Sequence, residues 1–465
     1  MLSFIGLCIL ILVGHILRVR IRLLARLYLP SCVIGGLVGL AVIQSFHYAA
    51  AGLDSGWVFH VSAFLSSVSE PWGPLPGMLI NIVFACLFLG VALPSPGTIW
   101  KRAYTQLAYG QIVAWGQYVV GVGLWIVLIH LLWPGLPAMF GGILPVGFEG
   151  GHGTAGGLAP VFEQYNWSAG KDFALASATG GILSAIIVGM MLVNWATRRG
   201  YTIRRASPAD IPEDESIGII PVDRRPVAGR LSVHSDSVEA LGLHLAIVGV
   251  AVLIGYLMKQ GLLAIEAAVP ALASKGLFKG FPLFPLCMIG GLLIQIYEDK
   301  FDRHKIIDVG LMKRIQNTSL DFLVVAAIAT IRVEVVVGAI VPLLILIAAG
   351  ILWNVICLLF LAPYVFKSAW FERAIAELGQ SMGVTATGLL LLRVVDPEYE
   401  SEAVDAFASK QLLHEPFMGG GLWTGMAIPM LAIYGAWPVF GIACAAVMIW
   451  GVVIVFVIAR RRKAT

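Results

Sequence analysis

Apolar runs long enough to cross a bilayer recur along the chain, and short alternation of apolar and polar positions, the mark of strands, is missing. A hydrocarbon core of about 30 Å takes roughly 20 residues of helix, and only helices or closed barrels satisfy their own backbone inside it, so the runs read as membrane helices. In the first half they fall at 3–18, 29–46, 77–95, 105–133 and 171–196; in the second at 237–258, 282–297, 315–331, 335–362 and 404–433, with one more at 437–459. The charged, proline-containing segment 198–236 ("RRASPADIPEDESIG") divides the halves as a solvated linker. The fold class that follows is an all-α polytopic membrane protein.

The halves resemble each other. "PSCVIGGL" at 30–37 recurs as "PLCMIGGL" at 285–292, identical at six of eight positions, and "TAGGL" at 154–158 recurs in the same order as "TATGL" at 385–389. Two ordered matches argue for duplication. An odd number of crossings separates the copies, so the second is inverted relative to the first, an architecture common among secondary transporters. The predicted organisation is a first repeat at 1–197, a linker at 198–236, a second repeat at 237–435, and an additional helix with a basic tail at 436–465.

Composition agrees with membrane residence: 59% of the 465 residues are hydrophobic, 12% are charged, and mean hydropathy is +0.89. The net charge of +4 reflects loop placement and gives no reason to expect a nucleic-acid partner. Arg18, Arg20, Arg22 and Arg26 follow the first span, Lys101 and Arg102 follow the third, and Arg198, Arg199, Arg204, Arg205, Arg224, Arg225 and Arg230 fill the middle. By the positive-inside rule the N-terminus is outside, and the middle loop and C-terminus are cytoplasmic. Lys259, Lys275 and Lys279 then fall outside, against the rule. All six cysteines lie in apolar runs without a C-x-x-C pair and read as packed thiols.

One stretch breaks the apolar pattern: "GFEGGHGTAGGLAP" at 147–160 places six glycines around Glu149, His152 and Thr154. Glycine costs about 1 kcal/mol relative to alanine in a helix, so the run predicts broken or extended backbone. At membrane depth such backbone survives only where protein or a water-lined cavity satisfies it. A re-entrant hairpin is therefore predicted at about 138–165. Its counterpart at about 379–398, "GQSMGVTATGLLLLRVVDPE", enters from the opposite side, and the two tips meet near the midplane. In "VIGGLVG" at 33–39, by contrast, the glycines read as packing positions within a plain span.

The candidate ligands lie in these hairpins. Glu149 and His152 share a helical face if the helix is continuous, and His152 either titrates, contacts substrate or holds the loop. Thr154 and Thr385 are duplicated hydroxyls at the tips, with Thr387 beside them. Arg393 ends the second hairpin as a candidate partner for a carboxylate, and Arg332 with Glu334 reads as interfacial. Asn81 and Asp321 hold similar places in the third span of each half, as candidate cation ligands or capping groups. Asp172 and Asp405 begin the spans after the hairpins and read as caps. No phosphate loop, kinase set or H-E-x-x-H motif occurs.

The residues "GGHGTAGG", the following "FALASATGGI", the inverted halves and "GVTATGLLLLRVVDPE" together resemble the bacterial sodium/glutamate symporter family. The resemblance implies an inner-membrane homodimer whose protomers have a scaffold part and a mobile part. It implies that the two re-entrant loops bind an amino-acid dicarboxylate with sodium as the coupling ion and no other cofactor. It also implies elevator movement. Its first box maps onto Gly150, Gly151, His152, Gly153, Thr154 and Ala155, and its second hairpin onto Gly383, Thr385, Thr387 and Gly388. This chain differs in a more apolar second hairpin carrying Arg393, a longer middle loop and the additional terminal helix.

The expectation is sodium-coupled symport of a small organic anion, glutamate first. Gly151, His152, Gly153, Thr154, Gly383, Thr385, Thr387 and Arg393 are the substrate candidates, and Glu149, Asn81 and Asp321 the ion candidates. Two alternatives stand beside it: proton or cation antiport through Asp321 and His152, and a membrane enzyme using Glu149 and His152 as base and acid.

Overall fold

The computed structural model describes residues 1–26, 29–52, 55–92, 96–203, 219–234, 236–397 and 400–462. Arg204, Arg205 and the rest of linker residues 204–218 lie outside these, as do Glu398 at the end of the second hairpin, the tail at 463–465, and the side chains of Arg26, Lys101 and Arg102. Among the described residues every regular element is a helix.

The first half contributes α1 (Leu2–Arg20), α2 (Ser31–Gly52), α3 (Leu75–Ala85), α4 (Pro96–Leu124), α5 (Ile143–Phe148), α6 (Gly151–Gly157) and α7 (Ala169–Arg199). The second contributes α8 (Ala240–Ala268), α9 (Phe284–Phe301), α10 (Val309–Ala329), α11 (Ile340–Ile356), α12 (Trp370–Met382), α13 (Thr385–Val395), α14 (Ala403–His414) and α15 (Leu422–Tyr434), followed by α16 (Ala436–Arg462). Both α4 and α11 run on through a π-helical turn, Trp125–Ile129 and Cys357–Leu361.

Seven helices among the described residues are long and apolar enough to cross a membrane by length and composition alone, fewer than the eleven crossings read from the sequence. The differences have local causes. The run at 77–95 is helical only over Leu75–Ala85, about 16 Å at 1.5 Å per residue. The charged ends of α9 (Glu298, Asp299, Lys300) and α10 (Lys313, Arg314) offset their apolar middles. The run at 404–433 is not one span: it breaks between His414 and Leu422, across Gly419, Gly420 (φ +90°) and Gly421. All six cysteines are free thiols.

The helices form two compact units that interleave along the chain. One comprises Met1–Leu93, Gly156–Gln164 and Glu213–Val333; the other comprises Pro94–Ala155, Tyr165–Pro212 and Glu334–Thr465. Each draws on both halves of the sequence.

In the first unit the duplicated glycine pairs set the packing. Gly35 on α2 sits against the Leu10 carbonyl of α1, and Gly290 on α9 against the Ala251 carbonyl of α8. The second glycine of each pair turns to the other half: Gly36 faces Ile328 on α10, and Gly291 faces the Ala85 carbonyl that ends α3. The motif cysteines repeat the exchange, Cys287 reaching Asn81 (3.9 Å) and Cys32 lying beside Asp321. Lys259, misplaced by the charge rule, has a structural task here. Its ammonium binds the carbonyls of Phe278, Lys279 and Phe281, while Glu266 accepts from the Phe278 and Lys279 amides.

In the second unit α4 is central: α16, α14 and α11 all pack along it. Gly123 of α4 meets the Phe440 ring of α16, and Trp353 of α11 lies over Gly116 and donates to the Val113 carbonyl (2.9 Å).

A methyl group at Gly291 is driven into the Ala85 carbonyl, whereas one at Gly249 on α8 meets nothing within 4 Å. Gly291→Ala should therefore destabilise the protein by about 1–3 kcal/mol in thermal unfolding, the usual cost of overpacking. Gly249→Ala should not lower the melting temperature.

Candidate functional site

The glycine-rich stretch is helical except at Glu149–Gly150 and, for one residue, at Leu158. Pro145 supplies one carbonyl to two amides, Glu149 N (3.0 Å) and Gly150 N (3.2 Å), and Gly151 then adopts φ +63°. This left-handed conformation strains a residue with a Cβ, and a Cβ on Gly151 would also fall 3.1 Å from Val384 Cγ1. Before the break, α5 lies along α7, with Gly147 facing Ser177 and Phe148 packing over Gly181.

The second hairpin is a pair of packed helices, α12 and α13, turning at Gly383–Val384. Its first arm begins at Trp370, nine residues before the boundary read from sequence. The arms cross closely because Gly379 and Gly388 face each other: a Cβ on Gly379 would lie 2.7 Å from Gly388 Cα. Val384 and the Gly383 carbonyl lie against Gly151, so the turn between α12 and α13 touches the break at residues 149–151.

A buried polar network spans this meeting point. Gln380 Nε2 of α12 donates to Glu149 Oε2 (2.9 Å), joining the tips, and His414 Nε2 of α14 lies 3.3 Å from the same oxygen. Trp115 donates to Gln111 Oε1 (2.9 Å), and Gln111 Nε2 faces His414 Nδ1 (3.2 Å). That pattern assigns the proton to His414 Nε2, which donates to Glu149. Deeper, Lys410 Nζ binds Glu377 Oε1 (2.7 Å), Gln411 Oε1 (2.8 Å) and Gln380 Oε1 (3.1 Å). Gln106 Nε2 donates to Glu377 Oε2 (3.0 Å). Gln411 Nε2 donates to Thr385 Oγ1 (2.5 Å) and to Glu415 Oε2 (2.9 Å), and the Thr385 hydroxyl donates to Glu415 Oε2 (3.3 Å).

None of Glu149, Glu377, Lys410 and His414 is more than 4% exposed. Charges buried this deeply persist only when paired, and removing one member of a buried pair costs about 3–5 kcal/mol. Two oxygens at the first tip nevertheless have no partner: Glu149 Oε1 and Thr154 Oγ1. Buried acceptors left open in this way fit a site that completes them with a ligand.

The structure thus brings Glu149, Gly151, Gly383 and Thr385 together. Gly153 is buried in the first turn of α6, and the Thr387 hydroxyl lies over the Gly383 turn. His152 turns away: its Nε2 lies 3.0 Å from Thr179 Oγ1, whose hydroxyl donates to the Leu175 carbonyl (2.9 Å). His152 therefore holds the hairpin to α7, and the break at residues 149–150 takes it off the face used by Glu149. Arg393 ends α13 with an exposed side chain, Arg332 is likewise exposed, and Asp172 is buried in the first turn of α7. Asn81 and Asp321 belong to the other unit, where the Asn81 amide donates to the Gly77 and Met78 carbonyls of its own helix.

Sequence reasoning passed over Lys410, Gln411, His414, Glu415, Glu377 and Gln106. The signal was present in "SKQLLHE", whose polar residues at 410, 411, 414 and 415 share one helical face inside an apolar run. Gln380 and Glu377 show the same three-residue spacing on the first arm.

Two isosteric replacements separate the structural contact from the open one. Thr179→Val strips the buried His152 of its partner and should cost about 1–3 kcal/mol in thermal unfolding. Thr154→Val removes a hydroxyl that bonds nothing and should leave the melting temperature unchanged or raise it.

Residues 1–400 match a family model described as Sodium/glutamate symporter, while no curated protein and no solved structure matches the chain. The match includes both hairpins and stops before α14. With some six-sevenths of its length covered, the chain belongs to the sodium/glutamate symporter family, as a multi-pass membrane protein.

Proposed function

We propose that this protein carries glutamate together with sodium, binding both where the two hairpin tips meet. The observation that carries the reading is the contact of Gly151 with Gly383 and Val384, bridged by the Glu149–Gln380 hydrogen bond, beside the open oxygens Glu149 Oε1 and Thr154 Oγ1. Glu149 Oε1 and Thr154 Oγ1 are hard oxygen donors suited to sodium. The Thr154 hydroxyl, which bonds nothing within the protein, can offer its oxygen to sodium and its hydrogen to the anion.

The charge of the network supports coupling. All three donors of Lys410 are engaged and Arg393 is exposed, so a dicarboxylate arriving alone meets Glu149 and Glu415 without a neutralising cation. Sodium between the carboxylates removes that repulsion, and each ligand raises the affinity for the other. Proton antiport through His152 and Asp321 gains less support, because His152 is tied to Thr179 and Asp321 belongs to the other unit. The enzyme reading loses its acid–base pair, since Glu149 and His152 face different partners.

Interleaving of the two units supports inverted repeats: the unit holding both glycine-pair motifs serves as scaffold, and the unit holding Gly151 and the Gly383–Val384 turn moves as the elevator. Re-entry of the first hairpin is supported by the Phe140 ring, which packs against Phe173 (5.4 Å) and Trp167 (6.4 Å) beyond the far arm. The working form is a homodimer in a bacterial inner membrane, with the N-terminus outside and the middle loop and C-terminus cytoplasmic. Asn81 and Asp321 act within the scaffold as packing partners of the motif cysteines.

Labelled glutamate uptake into proteoliposomes tests the reading. An inward sodium gradient should drive accumulation, a proton gradient alone should not, and Thr154→Val should reduce sodium-driven uptake at least tenfold while assembling normally. Uptake indifferent to sodium, or none for any of a panel of carboxylates, sinks the proposal.

A further inference from the structure

Lys410 is an unusual occupant of a membrane protein's interior. Its side chain is fully buried, and its ammonium sits among three oxygens from three residues: Glu377 Oε1 (2.7 Å), Gln411 Oε1 (2.8 Å) and Gln380 Oε1 (3.1 Å). An ammonium has three donors, so each is used once. One carboxylate and two amide carbonyls converging on a point are also the hard oxygen donors that an alkali cation takes.

The amides reveal how the site is ordered. With its oxygen turned to Lys410, Gln380 presents its NH2 group to Glu149; with its oxygen turned to Lys410, Gln411 presents its NH2 group to Glu415 and Thr385. One positive charge thus sets the direction of two hydrogen-bonded arms, each ending on a carboxylate at the hairpin tips. Helix α14, which carries the lysine, lies beyond the residues matched to the family.

We propose that the Lys410 ammonium is a tethered cation, filling a place among the oxygens of Glu377, Gln380 and Gln411 that would otherwise take a sodium ion. Being covalently held, it stays with the mobile unit in every state, and the site binds one exchangeable cation fewer than its oxygens alone would accept. The proposal deepens the sodium-coupled reading and rests on it for the identity of the ion. Its test reads ion binding without transport, so a failure of glutamate uptake and a failure here are separate results.

The test compares purified wild type, Lys410→Ala and the double variant Lys410→Ala/Glu377→Gln, by thermal unfolding in sodium against choline at constant ionic strength and by counting bound labelled sodium. Lys410→Ala should be destabilised in choline, recover in sodium or methylammonium, and bind one more sodium per chain than wild type. The double variant has the same cavity without the carboxylate, so it should show the wild-type count and the wild-type response to sodium. A single variant that responds to sodium no more than the double variant does, whether both are stable or both unfold, overturns the proposal.

Discussion

A polar group placed where lipid excludes water must find its partner within the protein, and the second unit is organised by that requirement. Lys410 is its most demanding case, a full charge with no exposed surface. Glu377 meets the charge, Gln380 and Gln411 meet the remaining donors, and their outward amides in turn order Glu149 and Glu415. What looks like a cluster of separate contacts is one polarised chain, and in a low-dielectric interior such chains hold their geometry more firmly than isolated bonds do. The break in the first hairpin depends on it too, because the Glu149 carboxylate beside Gly151 is held by the Gln380 end of that chain.

The same requirement explains where the glycines went. In the first unit they let helices approach until side chains and carbonyls of one half fill the grooves of the other, as Gly36 does with Ile328 and Gly291 with Ala85. In the second unit they serve close crossing in one place, Gly379 against Gly388, and a change of chain direction in another, at Gly151. A stretch dense in glycine therefore has no single meaning, and position relative to breaks and crossings decides which role applies.

Much of this was legible in the residues. The glycines at 33–39 were read as packing positions and the stretch at 147–160 as a break, and both readings follow from local propensities that lipid sharpens. The ligand network was not legible, for a physical reason: hydropathy averages a window, and the apolar residues around Lys410 hid it inside a span drawn at 404–433. The spacing of Lys410, Gln411, His414 and Glu415 puts them on one face, and the turn at 415–421 with the inward face of α14 shows what that face meets. His152 was read as titrating, contacting substrate or holding the loop, and its contact with Thr179 is of the last kind. Its spacing from Glu149 suggested a shared face, but Gly151 rotates the chain between them, and the imidazole goes to Thr179. Asn81 and Asp321 were read as holding similar places in the third span of each half, and in the structure each lies beside a motif cysteine of the opposite half.

Placing sodium and glutamate at the hairpin tips makes Glu149 the pivot of the account, since its carboxylate joins the tips through one oxygen and leaves the other open. The most direct test is equilibrium binding of labelled sodium to the purified protein with and without glutamate. Wild type should bind sodium more tightly when glutamate is present, and Glu149→Gln, which keeps a hydrogen-bonding side chain of the same size, should lose both the sodium and its enhancement. Sodium binding to Glu149→Gln with undiminished affinity and undiminished response to glutamate would contradict the placement of the site.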